Sequence, residues 1–137
     1  MKVILDCNIW ISFLLGHQTV LMQHLLTNSS IDIYVCSELL AEIEDVGGRQ
    51  KIRKYIRSSD VAILFDLLHD NCVLVKINST ATYPVRDAKD LYLLSLAETV
   101  KADILVSGDK DLLVLKQHGA TRILTLAELK NLLGYEA

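Results

Sequence analysis

Four acidic residues stand where this chain could do chemistry: Asp6, Glu42, Asp90 and Asp109. Asp6 directly follows the apolar run Val3-Ile4-Leu5, and Asp109 follows Ile104-Leu105-Val106 after Ser107-Gly108. Glu42 lies one turn into a helical pattern that begins near Ser37, and Asp90 lies in the first turn of another that begins near Ala88. If these segments meet, the carboxylates repel, by roughly 4 kcal/mol for a pair about 4 Å apart at an effective dielectric near 20. A divalent cation cancels that repulsion, and an all-oxygen donor set selects a hard ion, Mg²⁺ or Mn²⁺. Such an ion activates and orients water and stabilises charge on a phosphodiester. Each acid alone also has a structural explanation. Asp90 and Asp109 could cap helices or face their dipoles, and Glu42 could be a solvated helix residue. Asp6 is harder to dismiss, because a carboxylate at the end of a buried strand is costly without a partner.

The elements that must position these acids follow from apolar periodicity. Val3–Leu5 reads as a strand, and residues 9–26 as helix interrupted near Gly16-His17. Residues 31–36 form a second strand, with Ser37 expected to cap a helix carrying Leu39, Leu40, Ile43 and Val46. Gly47-Gly48 breaks that helix, and a basic segment runs from Arg49 to Arg57. Ser58-Ser59-Asp60 signals another helix start, residues 72–77 a third strand, and residues 78–86, with the sole proline Pro84, a long loop. Then come a helix over 88–100, a strand over 104–106, a short helix over 109–117 ended by Gly119, a fifth strand at 122–124 and a last helix capped by Thr125. Strands alternating with helices predict a mostly parallel central sheet in a three-layer α/β/α arrangement, with residues 1–137 forming one domain. In such sheets the site lies beyond the carboxyl ends of the strands, at the switch in strand order. All four acids are expected at that edge.

Composition narrows the alternatives. Of 137 residues 51% are hydrophobic, enough for a continuous core without disulfides or a structural metal. The net charge of −3 announces no global field for a nucleic acid, so any such partner must be held by a local patch and a bound ion. Cys7, Cys36 and Cys72 lie in or beside apolar runs without CxxC spacing, and the four histidines lack ligand spacing, so zinc is disfavoured. The odd cysteine count and the absence of a targeting or membrane-spanning stretch lead us to expect a soluble, cytoplasmic protein with reduced thiols.

Val3-Ile4-Leu5-Asp6-Cys7-Asn8-Ile9-Trp10 resembles the opening motif of PIN domains. The resemblance continues through Ser37-Glu38-Leu39-Leu40-Ala41-Glu42-Ile43 and Arg86-Asp87-Ala88-Lys89-Asp90, with Leu93, Leu94 and Ala97 following. It ends at Val106-Ser107-Gly108-Asp109-Lys110-Asp111-Leu112-Leu113, the most specific block. The closest subgroup is that of toxins from bacterial toxin–antitoxin systems. The resemblance implies a PIN fold, a metal-dependent endoribonuclease, and Asp6, Glu42, Asp90 and Asp109 as its acidic metal site. Asn8 and Ser107 match supporting polar positions, and Asp87 and Asp111 accessory ones. Ala88 stands where the subgroup usually has proline, and Leu91 where it often has a second acid. Glu44 competes with Glu42, which is favoured because it fits the Ser37-x-Leu-Leu-x-Glu pattern.

Lys89 and Lys110, each beside a proposed ligand, are candidates for RNA contact. Arg53 is a third, from a basic segment in which Tyr55 could stack on a base. That segment also reads as a solvated helix face with Ile52 and Ile56 turned inward. The resemblance further implies an antitoxin partner, and many such toxins dimerise. Trp10, Phe13, Leu14 and Leu21 could line an antitoxin groove, although core packing explains such a stripe more simply. Competing readings are a PIN-fold binding module that has lost catalysis and a Mg²⁺-dependent phosphotransfer domain. Against the latter, position 8 is Asn rather than a second Asp; a nucleotide-binding Rossmann domain is disfavoured because no GxGxxG follows the first strand.

Overall fold

A computed structural model describes residues 1–78 and 88–135, apart from the side chains of residues 58, 88 and 89. Its strands are β1 (Lys2–Leu5), β2 (Asp32–Val35), β3 (Cys72–Leu74), β4 (Ile104–Val106), β5 (Gln117–His118) and β6 (Thr121–Leu124). Its helices are α1 (Cys7–Leu14), α2 (Thr19–Thr27), α3 (Ser37–Gly47), α4 (Gln50–Arg53), α5 (Ser58–Asn71), α6 (Ala88–Val100), α7 (Lys110–Leu113) and α8 (Leu126–Leu133). The strands form one sheet in the order β3-β2-β1-β4-β6-β5, parallel except for β5 against β6. This is the expected α/β/α arrangement with a mostly parallel sheet.

The strand order explains where a site can form. From β1 the chain builds outward to β2 and β3, then crosses back to place β4 on the other side of β1. Connections on either side of that switch diverge and leave a crevice at the carboxyl ends of β1 and β4. Leu5 pairs with Val106 in register, and the Asp6 N–H donates to the Val106 carbonyl at 2.9 Å. Asp6 and Ser107 are thus neighbours because their strands are. Val3, Ile4 and Leu5 are all at most 1% exposed, so both faces of β1 are covered. A strand buried on both faces is continuously apolar, which is why its sequence does not alternate. The floor of the crevice is therefore part of the buried core.

Several local features differ from expectation. Ser37 is the first residue of α3 rather than its cap; Cys36 holds the cap position, and the Ser37 hydroxyl donates to Glu38 Oε1. At α5 the cap position is Arg57, whose N–H donates to the Asp60 carboxylate at 2.9 Å. The helix expected over 109–117 ends at Leu113, and Gln117–His118 pairs with β6 as a sixth strand. Gly119, at φ +57°, serves the turn of this hairpin instead of terminating a helix. Such a φ is one that glycine adopts without steric cost. Thr125 caps α8 as expected: its Oγ1 accepts from the Glu128 N–H at 3.1 Å, and Glu128 Oε1 accepts from the Thr125 N–H at 3.0 Å.

Trp10, Phe13 and Leu21 lie in the core, all below 5% exposed, so the proposed stripe is mainly packing. Trp10 and Phe13 meet edge to face with centroids 5.9 Å apart. No helix among the described residues is long and apolar enough to cross a membrane.

Candidate active site

At the carboxyl edge of β1 and β4 the structure opens a cleft of about 210 Å³, walled by Asp6, Cys7, Asn8, Glu42, Val46, Arg49, Asp90, Leu93 and Asp109. All four acids expected to converge do so. Asp6 comes from the end of β1, Glu42 from α3, Asp90 from the first turn of α6, and Asp109 from the cap position of α7. Glu44 lines a different cavity, so among the two candidates it is Glu42 that reaches the cleft.

Asp6 is nearly buried, at 6% exposed, and occupies the cap position of α1 without a side-chain capping bond. Its Oδ2 instead accepts the Ser107 hydroxyl at 2.7 Å, while the same Ser107 oxygen accepts the Asp109 N–H at 2.9 Å. One buried hydroxyl therefore ties the ends of β1 and β4 together and sets the position of two acids. Burial is the main reason the Asp6 carboxyl lies above its ordinary pKa. The hydrogen bonds from Ser107 and the Cys7 backbone oppose the shift, and the charges of Glu42 and Asp109 add to it.

Asp109 also performs the structural role open to it: its Oδ1 accepts the Asp111 N–H at 2.9 Å, capping α7. That turn brings Asp111 into the group. Asp90, Asp109 and Asp111 each offer a carboxylate oxygen within 4.8 Å of the others. Asp90 is 4% exposed and the other two are half-buried. The tightest cluster thus contains Asp111, expected only as an accessory, while Asp6 and Glu42 line the same cleft outside it. Three carboxylate oxygens at this spacing, with no sulfur or nitrogen donor, suit a hard divalent cation.

Two residues of the site were not singled out from sequence. Tyr92 donates its hydroxyl to Glu42 Oε1 at 2.8 Å across α6 and α3, and burial, then the bond to Glu42, pushes its own pKa far up. A phenol held neutral in this way remains a donor. A tyrosine in a helix otherwise rich in Leu and Ala was the one available signal. Arg49 is the cation lining the cleft among the described residues, and its guanidinium is 3.1 Å from Asp45. It belongs to the basic segment noted earlier, whereas Arg53, the candidate chosen there, lines a neighbouring cavity. Asn8 is exposed at the cleft wall, and Lys110 is exposed at the start of α7. Asp87 lies outside the described residues, as does the side chain of Lys89.

A family model described as the PIN domain matches residues 2–111. Among curated proteins none matches the chain. The fold is similar to that in the crystal structure of VapBC2 from Rickettsia felis bound to a DNA fragment from their promoter. There the TM-score is 0.60 at 17% identity, over 90% of this chain and 97% of that one. It is also similar to the PIN domain endonuclease Utp24, with a TM-score of 0.55 at 16% identity over 91% and 84% of the two chains. At such identities the likeness concerns the fold, and the family match over most of the chain carries the assignment. The chain belongs to the PIN-domain family.

Proposed function

We propose that this protein is a metal-dependent endoribonuclease, the toxin of a bacterial toxin–antitoxin pair, acting in the cytoplasm as one domain over residues 1–137. The observation that carries the reading is the gathering of Asp90, Asp109 and Asp111, two of which line a cleft together with Asp6 and Glu42. Carboxylates this close repel one another unless a divalent cation stands between them. The fold similarity to VapBC2 and to the endonuclease Utp24 supports the same reading.

Asp90, Asp109 and Asp111 would hold Mg²⁺ or Mn²⁺, with Asp6 and Glu42 completing the acidic wall. When bound, the ion supplies an activated water and stabilises negative charge on the scissile phosphate. Asp6, whose proton affinity burial raises, lies on the cleft wall to take a proton from attacking water. Ser107 fixes its orientation, and Tyr92 fixes that of Glu42. Exposed Asn8, on the cleft wall, and exposed Lys110, next in sequence to Asp109, would contact the strand. An antitoxin would silence the site by covering it, and a homodimer would be compatible with the exposed helix faces.

The test is cleavage of a labelled RNA by purified protein with Mg²⁺ or Mn²⁺, with EDTA as control. Activity should disappear in Asp6→Asn and Asp90→Asn while both variants remain folded. Folded protein that cleaves no RNA with either metal, across structured and single-stranded substrates, would refute the reading. So would full activity in Asp90→Asn.

A further inference from the structure

Beside the acid cleft lies a second cavity, of about 300 Å³, lined by Glu44, Gly47, Gly48, Arg53, Ile56, Arg57 and Val61. The two share one piece of backbone, the last turn of α3 and the two residues after it. Val46 and Arg49 face the acid cleft; Glu44, Gly47 and Gly48 face the second cavity. Arg49, Arg53 and Arg57 recur every fourth residue, and the Arg53 N–H donates to the Arg49 carbonyl at 2.9 Å across one helical turn. That spacing is helical only between Arg49 and Arg53; Arg57 lies past α4 in extended backbone at the cap of α5, and it meets Arg53 because both line this cavity. All three arginines are exposed, and Tyr55 between them is 76% exposed. Two arginines against the single acid Glu44 leave this cavity positive, in contrast to the acidic cleft next to it. Buried Ile56 anchors the segment to the body of the protein, so its charges are presented from a fixed base.

We propose that the Arg53–Arg57 cavity is a second nucleic-acid subsite, holding a phosphate of the same RNA strand away from the scissile bond, with Arg49 bridging it to the acid cleft. The inference rests on the nuclease reading of that cleft. An arginine presents a planar fork of donors that matches phosphate oxygens. An exposed tyrosine beside it offers a stacking face, which favours a nucleic-acid strand over a phosphorylated peptide. The arrangement also answers how an acidic protein holds a polyanion: the metal site neutralises one phosphate, and the Arg53–Arg57 pair binds another. Arg49, ion-paired with Asp45, would exchange that partner for a phosphate when the strand enters.

The experiment compares wild type with Arg53→Ala/Arg57→Ala and with a control pair, Lys101→Gln/Arg122→Ala. The control residues are exposed at the amino-terminal edge of β4 and β6, opposite the cleft. The probe is a fluorescent twelve-nucleotide single-stranded RNA. Affinity is read by anisotropy in EDTA across a salt series, and cleavage by KM and kcat with Mn²⁺. The arginine pair should lose roughly tenfold in affinity, with a matching rise in KM and kcat within about twofold of wild type. The slope of log affinity against log salt should fall by about 0.7, the contribution of one single-strand phosphate contact. The control pair should change each value far less.

Equal affinity in wild type and the arginine variant would overturn the subsite, and so would an equal loss in the control pair. Either result with cleavage intact would leave the nuclease reading standing. Wild type that binds the RNA but does not cleave it refutes the nuclease reading alone, and the affinities still decide the subsite. Wild type that neither binds nor cleaves refutes both.

Discussion

Replacing Asp90 by Asn should stabilise the metal-free protein while removing most of its response to metal. Asp90 shares a space of 4.8 Å with Asp109 and Asp111. At that separation, two full charges repel by about 3 kcal/mol at an effective dielectric near 20. Asp109 and Asp111 are half-buried and partly screened by water, which brings the net relief for the two contacts to about 1–2 kcal/mol. For a chain of this length that corresponds to a rise in Tm of about 3–8 °C. The sign reverses when metal is present. A cation that binds only the folded state stabilises it by RT ln(1 + [L]/Kd), about 2.7 kcal/mol at a hundredfold excess over Kd. The variant loses one of three clustered donors and so most of that gain. Melting curves read from the single tryptophan, Trp10, which is fully buried, should therefore cross: the variant is more stable in EDTA and wild type in millimolar Mn²⁺. A variant that melts lower than wild type in EDTA, yet shows the full shift with Mn²⁺, would refute both the repulsion and the assignment of Asp90 to the metal.

Ser107→Ala should cost about 1–3 kcal/mol and lower cleavage, because Asp6 loses its donor and the Asp109 N–H its acceptor inside a fully buried site; chemical denaturation and kcat check the two effects. Tyr92→Phe keeps the ring but removes the bond to Glu42, and should lower kcat with little change in KM and a stability loss of about 1 kcal/mol. An unchanged kcat would show that the orientation of Glu42 is immaterial. Burial pushes the Cys36 thiol up to about 11 and the Cys72 thiol up to about 12. Both should resist iodoacetamide at pH 8 in the folded protein and react once urea exposes them, as mass spectrometry would show. Thr125→Ala should cost about 0.5–2 kcal/mol through loss of the reciprocal cap on α8, without affecting cleavage.

The parts of this molecule legible in the sequence are those where one physical demand acts alone. A parallel strand buried on both faces must be continuously apolar, so β1 and β4 announced themselves, and the acids at their ends came with them. Parallel pairing then fixed which edge those acids share. The errors fall where two local demands compete. Ser37 is a good capping residue, but the extended backbone continues one residue less than its type suggests, leaving Cys36 at the cap. Gly119 suits both a helix terminus and a hairpin turn, and only pairing with β6 decides for the turn. Asp111 carries the sharper lesson. Read along the chain, it is the second residue of a short helix and an unremarkable dipole partner. Its place beside Asp90 depends on Asp109 capping that helix through Oδ1, a contact that curls the chain so that three carboxylates face one another. Capping and metal binding are thus not alternatives at Asp109. The bond that starts the helix builds the cluster, and a substitution there should weaken both.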